Sequence, residues 1–210
     1  MTLPAAHPTK KIGEDRVVDV FFDFASPFSY LAMCRLPGIA EQYQYRLIYH
    51  AFNVADAKKA AGNYGPSNRD VPAKLAALSS DLKRWAKKLQ VPLQFPPRYQ
   101  CDAWNIGCLL ASDRGDERVY TREVYARIWG RGVDPEDANQ LSEVSSAMGW
   151  PASDLEDYVV MPEARKRYLA ECEKCHAEGV FGAPIMRIGE ELWWGNDRLS
   201  FVEQWMSDNG

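Results

Sequence analysis

The feature that most constrains the fold is a short, almost wholly apolar run that stops abruptly at a helix start. Residues 16–24 read RVVDVFFDF, a β-rich segment suited to a strand buried on both faces of a sheet. At Ala25-Ser26-Pro27 the run ends; Ser26 can cap a helix, and Pro27 fits the first helical position because it needs no N–H donor. Apolar side chains then follow at helical spacing, at Phe28, Leu31, Ala32, Leu36 and Ile39. A second strand at 45–52 completes a predicted strand–helix–strand unit.

The end of the chain returns to strand patterns after a long helical middle. We predict strands at Pro184–Ile188 and Glu191–Trp194, joined by a turn at Gly189-Glu190 and followed by a helix from Arg198 to Ser207. Between the two ends, apolar residues recur every three or four positions opposite charged faces, which predicts helices. These are expected at 71–90, 102–110, 117–129, 138–148, 153–159 and 163–178.

The order of these units predicts the fold. A strand–helix–strand unit followed by strand–strand–helix is the thioredoxin topology, so we expect an α/β, thioredoxin-like fold with a large all-helical insertion. The expected parts are a flexible tail at 1–15, a thioredoxin-like domain formed by 16–55 and 161–210, and a helical insertion at 56–160. An ordinary Rossmann-like domain is the alternative, but no Gly-rich phosphate loop follows the first strand.

Composition excludes several classes of function. With 25 basic and 29 acidic residues the net charge is −4, which argues against general nucleic-acid binding because phosphate-led binding needs excess Lys and Arg. Apolar runs fall far short of the ~20 residues of a membrane helix, and the first fifteen residues lack the apolar core of a secretory signal. Five cysteines, an odd number, fit a reducing compartment. We therefore expect a cytoplasmic protein without nucleic-acid or membrane partners.

The turn between the first strand and the first helix carries the candidate chemistry. Thioredoxin-type proteins place a reactive Cys-x-x-Cys here, where free N–H groups and the helix dipole lower a thiol pKa. This sequence has Ser26-Pro27-Phe28-Ser29 instead, so it offers a thiolate-stabilising position without its own thiol. We expect an external thiol, with glutathione the plain candidate and the Ser26 hydroxyl donating a hydrogen bond to its sulfur. The alternative is that Ser26 is only a helix cap.

A distant segment is expected to meet Ser26. Val180-Phe181-Gly182-Ala183-Pro184 precedes the third predicted strand, where thioredoxin-like folds place a cis-proline opposite the helix start. We therefore expect a cis peptide bond before Pro184. The backbone N–H and C=O of Ala183 would then pair with the cysteinyl part of a bound peptide, as in strand addition.

The remaining cysteines invite a different interpretation. Cys172-x-x-Cys175-His176 has redox or zinc spacing, but it falls within a predicted helix and lacks a second ligand pair. We expect neither a metal site nor a redox couple there. Cys34 and Cys108 fall in apolar helical stretches and are expected in the core.

Several longer segments carry a family resemblance. They are DFASPFSYLA at 23–32, GNYGPSNRD at 62–70, LKRWAKKLQVPLQFPPRY at 82–99, NIG at 105–107, and GVFGAP and LWWGNDRL within 179–199. Through them the chain, from about residue 17 to 205, resembles the 2-hydroxychromene-2-carboxylate isomerases of naphthalene degradation, which are related to kappa-class glutathione transferases and share their DsbA-like fold. GPSNRD and WWGNDRL together are specific to the isomerases, whereas SPFSY is shared with the transferases.

The resemblance implies roles for individual residues. Ser26 would be the catalytic residue that contacts the glutathione sulfur. The rest of the glutathione site would comprise Ala183, Pro184, Trp194, Gly195, Asn196 and Asp197. The substrate contacts would be Lys58, Asn68, Arg69 and Tyr99. These residue types suit the ligands, because both ligands are anionic and need local cations, and because Asp197 suits the α-ammonium group of glutathione.

Each of these residues also has an ordinary structural interpretation. Lys58 in ADAKKAAG is alternatively a solvated helix residue, Tyr99 a packed loop aromatic and Arg69 a surface charge. Trp193 and Trp194 alternate along a strand, so we expect one in the core and the other in a cleft. Tryptophans on apolar helix stripes are expected in the core, namely Trp85 and Trp129.

The resemblance implies a glutathione-dependent isomerase that converts 2-hydroxychromene-2-carboxylate to trans-o-hydroxybenzylidenepyruvate, with no net redox change and no metal. One alternative is a kappa-like glutathione transferase or peroxidase acting on other electrophiles; another is a glutathione-binding protein without turnover. Lys58 and GPSNRD favour the isomerase because they fit an aromatic carboxylate. The implied partners are glutathione and a small aromatic carboxylate, and the resemblance favours a homodimer.

Overall fold

A four-stranded mixed sheet organises residues 16–209, the part of the chain that a computed structural model describes. The strands are β1 (Val17–Phe22), β2 (Arg46–Ala51), β3 (Ile185–Ile188) and β4 (Glu191–Trp194). Their order is β2-β1-β3-β4; β1 is parallel to β2 and antiparallel to β3, and β3 is antiparallel to β4. This is the predicted thioredoxin-like arrangement. The tail expected at 1–15 lies outside the described residues.

Helices follow the predicted positions closely in the middle of the chain. Those that flank the first two strands are α1 (Pro27–Met33), α2 (Leu36–Gln42) and α3 (Val54–Ala60). The long helical region contains α4 (Pro72–Leu89), α5 (Asp102–Arg114), α6 (Glu117–Tyr125), α7 (Asn139–Ala147) and α8 (Asp154–Val159). The last two are α9 (Pro162–Ala177) and α10 (Leu199–Asn209). Within residues 16–209, none of the helices combines the length and the apolar character needed to cross a membrane.

The helix that begins after Ser26 is shorter than its apolar spacing predicts. It ends at Met33, and a second helix starts at Leu36 with Pro37 in its first turn. A proline inside a continuous helix would remove an N–H donor and clash with the carbonyl four residues earlier, which here belongs to Met33. The helix predicted at 117–129 likewise changes form, because a π-helical turn at Ala126–Gly130 follows α6.

One helix near the cleft was not predicted. Only Ala57 of α3 is buried, so its sequence shows little amphipathic pattern. It is held by its start instead: the Asn53 side chain accepts hydrogen bonds from the backbone N–H groups of Ala55, at 3.0 Å, and Asp56, at 3.1 Å. The boundary proposed between residues 55 and 56 falls inside this helix.

Helices cover both faces of the sheet. Val18 and Val20 of β1 pack with α2 and α10 on one face, whereas Phe21 packs with α9 on the other, as alternation along a strand requires. The helical region has a core of its own, built on the buried aromatic side chains Trp104, Tyr120, Tyr125 and Trp129. Phe22 and Phe24 reach into that core, so the helical region is packed against the end of β1, beside Ser26.

Candidate active site

Ser26 caps the first helix, and its hydroxyl proton points to a neighbouring carbonyl. Its backbone is extended (φ −97°, ψ 114°), and its Oγ accepts a hydrogen bond from the N–H of Ser29 at 3.2 Å, which caps α1. The same Oγ donates to the carbonyl oxygen of Ala183 at 3.3 Å. Because a hydroxyl has lone pairs for the cap and a separate proton to donate, capping leaves that proton available to a ligand.

The segment around Pro184 faces the start of α1, as predicted. The Ala183–Pro184 bond is cis. The Ala183 carbonyl accepts the hydrogen bond from Ser26 Oγ at 3.3 Å. The carbonyl of Pro184 accepts the N–H of Gly195 at 2.9 Å, which brings the next predicted stretch alongside. Gly195 has φ +106°, and a Cβ there would lie 2.6 Å from Asp197 Oδ1, so only glycine fits without displacing that carboxylate.

An open cleft of about 1630 Å³ brings the predicted site residues together. It is lined by ten of them, namely Ser26, Lys58, Asn68, Arg69, Tyr99, Ala183, Trp194, Gly195, Asn196 and Asp197. Pro184 is buried beside it. Many residues that sequence analysis did not select also line the cleft, among them Cys101, Phe95 and Arg198.

Arg69 is fixed in the cleft rather than free on the surface. Its Nη2 donates to the carbonyl of Ala25 at 2.7 Å, one residue before Ser26. Its guanidinium carbon lies 3.6 Å from the centroid of the Tyr99 ring, a cation–π contact. Partial burial lowers the pKa of Arg69, while Tyr99 and Asp23 oppose that shift, and an arginine stays charged throughout. The cleft thus holds a positive charge beside the helix start.

Lys58 supplies a second positive charge from α3. It is half-buried, and its ammonium group forms no ion pair with the acidic residues of 16–209. Its neighbour Lys59 points its charge at Asp56, with Nζ 3.1 Å from Oδ1. Of these adjacent lysines, Lys58 is therefore the one whose charge is available to a ligand.

The stretch after β4 forms the other wall of the cleft. Trp194 is 55% exposed and packs edge-on against Phe181, with ring centroids 5.1 Å apart, whereas Trp193 packs against the core on the α10 side. This confirms the alternation predicted for the pair. Asn196 is 2% exposed, and its amide nitrogen has no partner among the described residues. Asp197 is paired with the adjacent Arg198 at 2.9 Å.

Two tryptophans expected in the core also line the cleft. Trp129 is 1% exposed, yet it lines the cleft, where its ring centroid lies 5.9 Å from that of Tyr99. Its Nε1 donates to the carbonyl of Phe24 at 2.8 Å, which ties the π-helical turn to the end of β1. Trp85 lines the cleft from α4. Trp129 lies in the core as expected, and Trp85 is half-buried against that core.

The sequence analysis missed two buried polar residues behind the helix start. Asp23 is 3% exposed and Asn105 is 1% exposed, and their side chains meet at 3.0 Å. A signal was present: Asp23 interrupts a run of apolar residues three positions before Ser26, and Asn105 is the polar member of the NIG segment.

The cysteines have the environments of unreactive thiols. Cys172 and Cys175 lie on α9, and burial raises the pKa of Cys172 and that of Cys175, the latter to about 12. Cys108 is buried as expected, but Cys34 is exposed, because α1 ends there ahead of Pro37. Among residues 16–209 there is no cluster of three His, Cys, Asp or Glu side chains able to hold a metal ion.

Replacing Cys172 and Cys175 together with serine should leave the turnover expected from the sequence within about twofold of the wild type. Both thiols sit on α9, away from the helix start that tunes a redox thiol. Steady-state kinetics on the double variant is the measurement, with an insulin-reduction assay of the wild type as its companion. Disulfide reduction by the wild type, or loss of turnover in a folded double variant, would show that the protein carries a redox couple of its own.

Fold and site together define a class. The family model described as "DSBA-like thioredoxin domain" matches residues 17–207, nearly the whole described chain. The sheet order, the helical region between its halves and the cis-proline opposite a helix start agree with that class.

Relatives narrow the class further. The chain is 40% identical over 193 residues to 2-hydroxychromene-2-carboxylate isomerase of Sphingobium xenophagum, covering 92% of this chain and 99% of the relative. It belongs to the 2-hydroxychromene-2-carboxylate isomerase family. A solved structure of HCCA isomerase superposes with a TM-score of 0.88 at 40% identity, covering 91% of this chain and 95% of that one. Human glutathione S-transferase kappa 1 is more distant, at 24% identity over 216 residues, with 91% and 93% covered.

Proposed function

We propose that the protein is a glutathione-dependent isomerase that converts 2-hydroxychromene-2-carboxylate to trans-o-hydroxybenzylidenepyruvate. The observation that carries the proposal is the helix start: Ser26 holds a donor proton over a position built for a thiolate, and serine replaces both cysteines of the redox motif. Two cationic side chains, Lys58 and Arg69, line the same cleft and suit a carboxylate substrate.

The residues present fit glutathione along its length. The Ser26 hydroxyl suits the sulfur, and the backbone of Ala183 suits the cysteinyl amide. Asn196 lines the cleft with a buried amide nitrogen that has no hydrogen-bond partner among the described residues. Such a buried donor costs folding free energy, and a polar ligand group that accepted its hydrogen bond would remove that cost. The Asp197 carboxylate suits the α-ammonium group, for which Arg198 now stands in as the cationic partner.

At the thiol end the chain stabilises negative charge. The dipole of α1 favours an anion at its start, and the Ser26 hydroxyl would turn its proton from the Ala183 carbonyl to the sulfur. Glutathione would supply a nucleophile that adds to the substrate and later leaves, permitting rotation about a former double bond without redox change.

At the substrate end the chain orients an aromatic carboxylate. Lys58 and Arg69 would bind its charged oxygens, and Asn68, on the same loop as Arg69, would add hydrogen bonds. The Tyr99 ring, already stacked on Arg69 and close to Trp129, would pack on the aromatic ring of the substrate. No metal is required for this arrangement.

A second candidate function is a kappa-like glutathione transferase or peroxidase, favoured by the similarity to the kappa transferase. It would use the same Ser26 position, but the cationic pair Lys58 and Arg69 fits an anionic substrate better than a neutral electrophile.

We also propose a thioredoxin-like domain formed by 16–55 and 161–210 with an insertion at 56–160, a homodimer, and a cytoplasmic location, the last supported by five cysteines without a disulfide among them.

Ultraviolet spectroscopy of 2-hydroxychromene-2-carboxylate with the protein should show rapid conversion when glutathione is added and very slow conversion without it. Because an isomerase returns its thiol, total free glutathione should stay constant over many turnovers. Stoichiometric loss of glutathione would identify a transferase, and conversion that does not depend on glutathione would contradict the proposal.

A further inference from the structure

Asp23 is a buried carboxylate that directly follows β1, three residues before Ser26. Its Oδ1 accepts hydrogen bonds from the Ala25 N–H at 2.9 Å and from Asn105 Nδ2 at 3.0 Å. Its Oδ2 accepts the N–H of Val54 at 3.0 Å. Burial raises the pKa of Asp23, whereas these hydrogen bonds lower it, because all three donors favour the charged form.

Each of these donors belongs to a different part of the site. Ala25 immediately precedes Ser26, and its carbonyl accepts the hydrogen bond from Arg69. Val54 is the first residue of α3, the helix that carries Lys58 one turn later. Asn105 belongs to α5 in the helical region and is itself held by the Tyr168 hydroxyl, at 3.2 Å, and the Phe52 carbonyl, at 3.3 Å.

The backbone of the same residue is fixed as well. The carbonyl of Asp23 accepts the N–H of Ser26 at 2.9 Å and the hydroxyl of Tyr125 at 3.0 Å. Asn105 Oδ1 faces the N–H of Phe24 at 3.3 Å. Asp23 and Phe24, the two residues between β1 and Ala25, are thus held by hydrogen bonds from both backbone and side chains. A change at the Asp23 carboxylate is therefore transmitted to the start of α1.

We infer that Asp23 is a positioning residue that sets the geometry between the thiol end of the cleft, at Ser26, and the substrate end, at Lys58 and Arg69. One carboxylate joins the turn that carries Ser26 to the start of the helix that carries Lys58. It acts through these elements, because both of its carboxylate oxygens accept hydrogen bonds from the protein itself. The assignment of ligands to the two ends rests on the proposed function.

Asp23→Asn is the test, since the amide keeps the shape but replaces one acceptor oxygen with a donor. If the new amide nitrogen takes the place of Oδ2, it faces the N–H of Val54. If it takes the place of Oδ1, it faces the N–H of Ala25 and the Asn105 amide. We expect kcat/KM to fall by about 100-fold, the effect of displacing reacting groups by about 1 Å, with KM rising for both glutathione and the chromene acid. Amide hydrogen exchange of Ala25 and Val54, followed by NMR, should accelerate.

Asp19→Asn is the matched control. It makes the same change four residues earlier, within β1, but Asp19 pairs with His50 at 2.7 Å and Arg187 at 3.3 Å, and these three residues do not line the cleft. We expect kcat/KM within about twofold of the wild type and unchanged exchange at Ala25 and Val54. Asn105→Ala, which removes only the side-chain donor, should give an intermediate loss, and it decides the question if Asp23→Asn does not fold.

The pH at which bound glutathione ionises separates positioning from simple charge. Removal of a nearby negative charge alone would lower the thiol pKa and favour thiolate, whereas a displaced helix start would raise it. We expect it to rise in Asp23→Asn. A lowered or unchanged value with kcat/KM equal to that of Asp19→Asn would overturn the inference. If the wild type failed to isomerise the chromene acid, the proposed function would fall, while amide exchange at Ala25 and Val54 would still decide the role of Asp23.

Discussion

Ser26→Ala should reduce turnover by about 100-fold or more while leaving the fold nearly intact. The substitution removes the donor proton that the structure holds beside Ala183, and a single donor aimed at developing or fixed negative charge is commonly this important to catalysis. The lost cap should cost about 1 kcal/mol of stability. Steady-state kinetics with saturating glutathione, together with thermal unfolding, measures both effects.

Ser29→Ala is the control for that experiment. It deletes the same atom three residues later in the same helix, where the hydroxyl is fully buried and makes no hydrogen bond within residues 16–209. It should retain nearly full activity. Near-wild-type turnover in a folded Ser26→Ala protein, or equal losses in the two variants, would contradict the role given to Ser26.

Lys58→Met should weaken use of the chromene acid by about 10- to 100-fold in kcat/KM, because a hydrogen bond to a charged group contributes about 1.5–3 kcal/mol. Methionine keeps most of the aliphatic stem, so the packing of α3 should change little. Glutathione affinity, measured by calorimetry, should remain close to that of the wild type, since Lys58 is proposed to contact the substrate and not glutathione.

Lys59→Met provides the comparison, as its charge is already paired with Asp56. We expect a change of less than about twofold, in keeping with the small contribution of exposed ion pairs. If Lys58→Met weakened glutathione and substrate equally, Lys58 would have to be placed at the glutathione end of the cleft.

The parts of the fold that depend on local pattern could be predicted from the sequence. The apolar run of β1, the Ser26-Pro27 helix start and the alternating Trp193-Trp194 pair all have the predicted structures. The proximity of Ser26 and Ala183 could also be predicted, although neither segment indicates it by its local sequence. The prediction rested on the thioredoxin topology, which places the two segments side by side.

What could not be predicted depends on tertiary contacts. α3 has one buried residue, so its sequence carries no apolar periodicity that would predict a helix. Its first N–H donates to the Asp23 side chain, thirty-one residues earlier, a contact that local sequence does not indicate. Pro37 indicates a break in the helix before Leu36, but the prediction followed the regular apolar spacing across that position. The Asp23–Asn105 pair spans 82 residues, and nothing in either segment alone indicates that the two side chains meet.

The sheet order has a consequence for synthesis on the ribosome. β1 lies between β2, which follows it closely, and β3, which emerges only after the whole helical region has been translated. Until then one edge of an apolar strand stays unpaired, the kind of edge that invites aggregation. Ser26 and Ala183 are separated by 157 residues, so Lys58, Arg69 and Tyr99 are translated long before the two walls of the cleft can meet. Pairing of β3 with β1 is thus the late step of synthesis that both covers the open edge of β1 and completes the cleft.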